Sequence, residues 1–286
     1  MLLYEKVPIS DNSIYGIQEV KRDSIFKEGP CVIIMLSSTW FLSNINAAMR
    51  YVTNIVNEDI DNHYDPNKRV FGVAYGNYSE EYQGFTELVP TDEEIADFTS
   101  KYFFPLIEKN DNRISLVKAL RNLRNINFIT YCNGDKYFKK IESSLKMKMN
   151  ELGYGEEEQS LLLSQISVAS ISGQEIPTKG TKATSLIFSD ENDIYYVKPS
   201  EKIISCNNIH EINVSGDGDH GLKKYMVNDS IISNSINTFL TRVLDNSIFN
   251  YNNKDTFIPI QNEGIDKILI DQKSINDEKK KELRQN

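Results

Sequence analysis

The sequence predicts an α/β fold, a mainly parallel central sheet with helices on both faces, and two observations carry that expectation. Segments of strand character alternate with segments of helical period through most of the chain, the order that builds such sheets. Residues 31–36 are apolar without interruption, as a strand covered on both faces is. At 286 residues and 40% hydrophobic composition, the chain is long enough to bury the core of one such domain. That domain is expected over residues 1–257, with 76–112 as a candidate lid or insertion and 258–286 as a charged C-terminal tail.

Taken in order, residues 2–7 and 14–20 supply one or two edge strands, and Cys31 opens the first buried strand. A helix with Ala47, Ala48, Tyr51, Val52 and Ile55 on its apolar side runs to about Asn57, and 69–75 is the next strand. Residues 76–89 are irregular. Thr91 and Glu94 have the spacing of a capping box, so a helix starts there with Ile95, Phe98 and Tyr102 inward. Residues 113–123 read as another helix, 126–130 as a strand, and 136–152 as a helix with Phe138, Ile141, Leu145, Met149 and Leu152 on one stripe. A short helix over 156–163, strands over 166–171, 183–188 and 209–214, and a final helix over 229–244 complete the pattern. Tyr75, Tyr78, Tyr82, Phe85, Tyr102, Phe103 and Phe104 are read first as core, with an acyl pocket or small lid as the other use.

Composition removes several classes of function. A formal net charge of -9 supplies no basic field for a phosphate backbone, so nucleic acid is not an expected partner. Three cysteines, Cys31, Cys132 and Cys206, are too few and odd in number for a disulfide framework and fit a reducing compartment. No apolar run reaches the ~18 residues of a membrane span, and no signal-peptide core follows Met1, so the expected location is cytoplasmic, with export lacking a cleaved signal also compatible. Gly216-Asp217-Gly218-Asp219 lacks the further ligands of a calcium loop, Asn228 standing at the twelfth position. Neither zinc spacing nor a phosphate-binding glycine motif occurs, so neither metal nor cofactor is expected.

The candidate site centres on Cys132, in Thr130-Tyr131-Cys132-Asn133-Gly134-Asp135, where strand character stops abruptly against a helix. A nucleophile on such a turn points outward, while the N–H of the next residue and the helix N-terminus face developing negative charge. A thiol gains from that placement because the thiolate is the attacking species; Asp135, in the first helical turn, works against it. The imidazoles are His63, His210 and His220. His63 lies in a polar loop and His210 within the last strand, whereas His220 follows Gly216 and Gly218 on the loop after it, where α/β sheets build their sites. Asp193, after the strand ending at Phe188, is the candidate acid to orient the imidazole, with Asp190 its competitor.

Nucleophile, acid and histidine in that order, each at the end of a successive strand, resemble the α/β-hydrolase superfamily over roughly residues 30–244. The resemblance implies Cys132 as nucleophile, Asp193 as acid, His220 as base, and an oxyanion hole formed by the N–H of Asn133 with that of Ser38 or Thr39. A cysteine nucleophile is known in the dienelactone-hydrolase branch. The chain departs from the family pattern at Thr130, where glycine is usual, at Ser37-Ser38, where His-Gly is common, and at Cys132 in place of serine. The implied activity is cleavage of an ester, thioester or related acyl bond of a small molecule, without a cofactor, with acyl transfer as a variant. The alternative is a non-catalytic binding or interaction protein of the same fold. The sequence leaves oligomeric state and substrate identity open.

Overall fold

The computed structural model describes residues 1–10, 14–36, 69–74, 78–79, 84–85 and 90–213. Its strands are β1 (Leu2–Ser10), β2 (Ile14–Glu19), β3 (Cys31–Leu36), β4 (Arg69–Ala74), β5 (Tyr78–Ser79), β6 (Gly84–Phe85), β7 (Glu108–Lys109), β8 (Asn112–Arg113), β9 (Ile126–Tyr131), β10 (Ser167–Ile171), β11 (Thr184–Ser189) and β12 (Ile209–Asn213). Eight of them form one sheet in the order β12-β11-β10-β9-β3-β4-β1-β2, while β5 pairs with β6 and β7 with β8 in separate two-stranded ladders. β3, β4 and β9 to β12 run parallel to one another. β1 runs antiparallel to both β4 and β2, closing one edge. The protein is therefore of the α/β class, with a mostly parallel sheet.

Hydrophobic burial explains the arrangement. Every residue of β3, β9, β10 and β11 is buried, as strands covered on both sides are; β3 is apolar throughout, while β9, β10 and β11 also bury polar residues such as Asn127, Ser170 and Ser185. Cys31, Ile33, Met35, Phe71, Phe128, Val168 and Ile187 share one core with helix residues, while Val32, Ile34, Leu36, Ile129, Ala169, Leu186 and Phe188 are buried as well. The helices are α1 (Asp92–Tyr102), α2 (Leu116–Arg124), α3 (Gly134–Glu151), α4 (Glu156–Ser164), α5 (Glu175–Lys179) and α6 (Glu201–Ile204). α1 to α5 each contribute to that shared core, which also holds Phe103, stacked at 5.8 Å on Phe128, and Tyr102. Those two aromatics are thus core residues. The helices expected over 44–57 and 229–244 lie outside the described residues, as do Tyr75 and Tyr82.

The capping box forms as its spacing requires: Glu94 N–H donates to Thr91 Oγ1 at 3.1 Å and Thr91 N–H to Glu94 Oε2 at 2.8 Å. Three details differ from the sequence reading. The helix expected from residue 113 begins at Leu116, because Arg113 pairs with Glu108 across a tight hairpin in which Asn110 and Asp111 both have positive φ, the turn geometry those residue types tolerate. α3 starts at Gly134, two residues early. α5 and α6 were not anticipated, since helices of five and four residues are too short to show a period.

Candidate functional site

The strand order reverses at β3. From β3 the chain first adds β4 on one side and later β9 on the other. Crevices outside the carboxyl ends of strands at such a reversal are where open α/β sheets bind ligands. The register brings Leu36, Tyr131, Ile171, Phe188 and Ile212 into one row across five strands. Cys132 and Ser172, the residues immediately beyond that row on β9 and β10, thus leave the sheet side by side.

Cys132 has φ +53°, a left-handed conformation that a side chain with a Cβ adopts at a cost of about 1–2 kcal/mol. Its N–H is held by Ile171 O at 3.1 Å, and its carbonyl accepts from Asp135 N–H at 3.3 Å. The turn is fixed further by Gly134, where an added Cβ would stand 2.0 Å from Met35 O on β3. Only glycine lets α3 begin that close to the sheet. The thiol is half-buried, unlike that of Cys31, which is fully buried and pushed up to about 12 by that burial, and unlike the exposed Cys206. Asn133 is exposed at the N-cap. Among the described residues, neither the Asn133 nor the Gly134 N–H is engaged by a backbone carbonyl.

Beneath the turn lies Asp135. It is fully buried and accepts hydrogen bonds from Thr130 Oγ1 at 2.5 Å, Ser170 Oγ at 2.9 Å and Ile176 N–H at 3.4 Å. Burial raises its carboxyl to about 6; the three donors pull it down, and Glu175 pushes it up. The fit around this carboxylate is tight, since a Cβ on Gly173 would fall 1.9 Å from Asp135 Oδ2.

Asp193 is buried, and its two oxygens are oriented by two donors: Ser172 Oγ at 2.7 Å to Oδ2 and Tyr195 N–H at 2.8 Å to Oδ1. Asp190 is also buried, but its Oδ1 accepts from Asn192 N–H at 3.0 Å, and its carbonyl accepts from Asp193 N–H at 3.0 Å. Its carboxylate shapes the turn, whereas that of Asp193 reaches across to the end of β10. Ser172 is the site residue that sequence reading missed. It too has positive φ, +47°, with its N–H on Phe188 O at 2.8 Å. The available signal was a Ser-Gly pair directly after a buried strand.

Cys132 and Asp193 follow strands two places apart, with Ser172 on the strand between. His220, Ser38 and Thr39 lie outside the described residues, as does His63. His210 sits within β12, opposite Leu186. Among the described residues, no cluster of His, Cys, Asp and Glu is arranged to hold a metal ion, and no helix is long and apolar enough to cross a membrane. The chain matches no family model and no curated protein sequence.

Proposed function

We propose that the chain is an α/β-hydrolase-type enzyme that cleaves an ester, thioester or related acyl bond of a small molecule with a cysteine nucleophile. The observation that carries this reading is the left-handed backbone of Cys132 at the carboxyl end of β9, a strained strand-to-helix turn at the sheet's switch point. A nucleophile elbow is built in this way. A buried structural cysteine has no need of positive φ, and Cys31, which sits in regular strand, shows the contrast.

In this reading Cys132 Sγ attacks the carbonyl carbon while its proton passes to the His220 imidazole. The N–H of Asn133, at the start of α3, stabilises the oxyanion, joined by that of Ser38 or Thr39. Collapse breaks the bond to the leaving alcohol or thiol, which takes the proton from His220 and leaves an acyl-thioester on Cys132. Water, giving its proton to His220, then releases the acid and restores the thiol. Asp193 orients His220, and the hydrogen bond that its Oδ2 accepts from Ser172, the residue beside Cys132, supports that choice over Asp190.

The test is turnover of short-chain p-nitrophenyl esters and acyl-thioesters by the purified chain. Cys132→Ala and His220→Ala are expected to lose at least about 1,000-fold in kcat, as knockouts of a nucleophile and its base do. Turnover unchanged by both substitutions overturns the reading and leaves the non-catalytic alternative.

A further inference from the structure

We propose that Asp135 is a positioning residue for Cys132: its buried carboxylate clasps the strand-to-helix turn shut and fastens it to the end of β10. The inference rests on the reading of Cys132 as nucleophile and adds to it a residue that the triad does not contain.

The geometry is that of a clasp. Thr130 lies two residues before Cys132 and Asp135 three after it, and the 2.5 Å bond between their side chains spans the turn from outside. The other carboxylate oxygen takes Ser170 Oγ at 2.9 Å, two residues before the second left-handed residue, Ser172, and the N–H of Ile176 on α5 at 3.4 Å. One side chain thus ties together β9, β10, α3 and α5 around the two turns that carry Cys132 and the partner of Asp193. A left-handed cysteine is unfavourable and persists only where its surroundings over-determine it. Gly134 against Met35 O fixes the turn from the β3 side, and Asp135 fixes it from the β10 side.

The clasp also explains Thr130, which stands where the hydrolase pattern usually has glycine. Its hydroxyl is the donor that Asp135 needs, so the two residues form one unit. All three partners are donors, and an ionised carboxylate accepts from all of them; once protonated, one oxygen must itself donate. Thr130 and Ser170 bring no charge from β9 and β10, and the ionisable group facing Asp135 is Glu175 on α5, itself paired with Lys179 at 2.6 Å. Ionisation of Asp135 near pH 6 thus lets its carboxylate accept from all three donors, at the cost in overall stability that burying its charge imposes.

The experiment measures the rate of iodoacetamide labelling at Cys132, read by peptide mass spectrometry so that the exposed Cys206 does not interfere. It is run from about pH 5 to about pH 8, spanning the Asp135 titration and reaching toward the ordinary thiol range, on the full chain and on Asp135→Asn, Thr130→Val and Thr130→Ser. A melting transition for each variant establishes that it is folded. Asp135→Asn and Thr130→Val are expected to label about ten-fold more slowly above pH 7, the scale of one lost charge-assisted hydrogen bond. Asp135→Asn is also expected to lose a step near pH 6, and Thr130→Ser to recover part of the rate lost in Thr130→Val. A purely structural Asp135 would lower the melting temperature and leave labelling of the folded protein untouched. Wild-type rates and profiles in folded Asp135→Asn and Thr130→Val overturn the proposal. The readout is independent of turnover: Asp135-dependent labelling without acyl cleavage would sink the hydrolase reading alone, and Cys132-dependent cleavage with Asp135-indifferent labelling would sink the clasp alone.

Discussion

The ends of β9 and β10 use the same backbone device for opposite purposes. Each strand finishes in a residue of positive φ, Cys132 at +53° and Ser172 at +47°, and each of these gives its N–H to a carbonyl of the next strand, Ile171 O and Phe188 O. Each is followed within two residues by a glycine with no room for a Cβ. They differ in where the side chain goes. The Cys132 side chain stays half-buried, whereas the hydroxyl of Ser172 is turned in to hold Asp193 Oδ2. Positive φ at a strand end thus leaves the direction of the side chain open. Cys132 is less buried than Ser172 and stands before the 18-residue α3, while Ser172 stands before the five-residue α5.

Substitutions can break that comparison, beginning with the largest effect. On turnover, Cys132→Ala is expected to cost on the order of 1,000-fold or more, and Ser172→Ala only about ten-fold, the difference between removing a reacting atom and loosening an orienting one. Equal losses would show that the two strand ends share one role. Next comes Gly134→Ala. A Cβ 2.0 Å from a backbone oxygen of the sheet forces α3 away from β3, and chemical denaturation should record a loss of about 3 kcal/mol or more. Gly173→Ala should cost less, about 1–3 kcal/mol, because the atom it meets, Asp135 Oδ2, belongs to a side chain.

The next effect concerns pH. The carboxyl of Asp135 titrates near 6 in the folded protein because burial disfavours its charge, against about 3.9 in an unfolded chain. A raised acid binds its proton more tightly when folded, so its contribution is fully present below about pH 4 and is lost as pH rises through about 6. Asp135→Asn removes that decline. Compared with the wild type, the variant should gain on the order of 3 kcal/mol in relative stability between about pH 4 and pH 7, measurable by urea unfolding at a series of pH values. Parallel curves for the two proteins would show that the carboxyl is not held as described. The smallest effect belongs to Ser172→Ala on stability. It leaves Asp193 Oδ2 without its hydroxyl donor, at about 1–2 kcal/mol.

Much of this was legible in the sequence, for a physical reason in each case. A strand buried on both faces can leave an unbroken apolar run, so 31–36 could be read directly, and the apolar, β-branched character of 126–130 marked a second strand. A capping box has a fixed spacing, so Thr91 and Glu94 located the start of α1. The break between Thr130 and Gly134 carried the strand-to-helix turn. Features built from contacts between distant residues were not legible. Nothing local marks Thr130, Ser170 and Ile176 as partners of Asp135; the sequence reading saw only an acid set unhelpfully in the first turn of a helix. The hairpin of β7 and β8 was missed because two-residue strands have no period, although Asn110-Asp111 is a turn signal.

The measurement that bears most directly on Cys132 is capture of its acyl form. The protein is mixed with p-nitrophenyl acetate, quenched in acid during the first turnover and digested, and the modified peptide is sequenced by mass spectrometry. The account predicts the acetyl group on Cys132, accumulating with a burst of p-nitrophenolate and longer-lived in His220→Ala. An acetyl group on Ser172 or elsewhere, or steady turnover with Cys132 replaced by alanine, would contradict it.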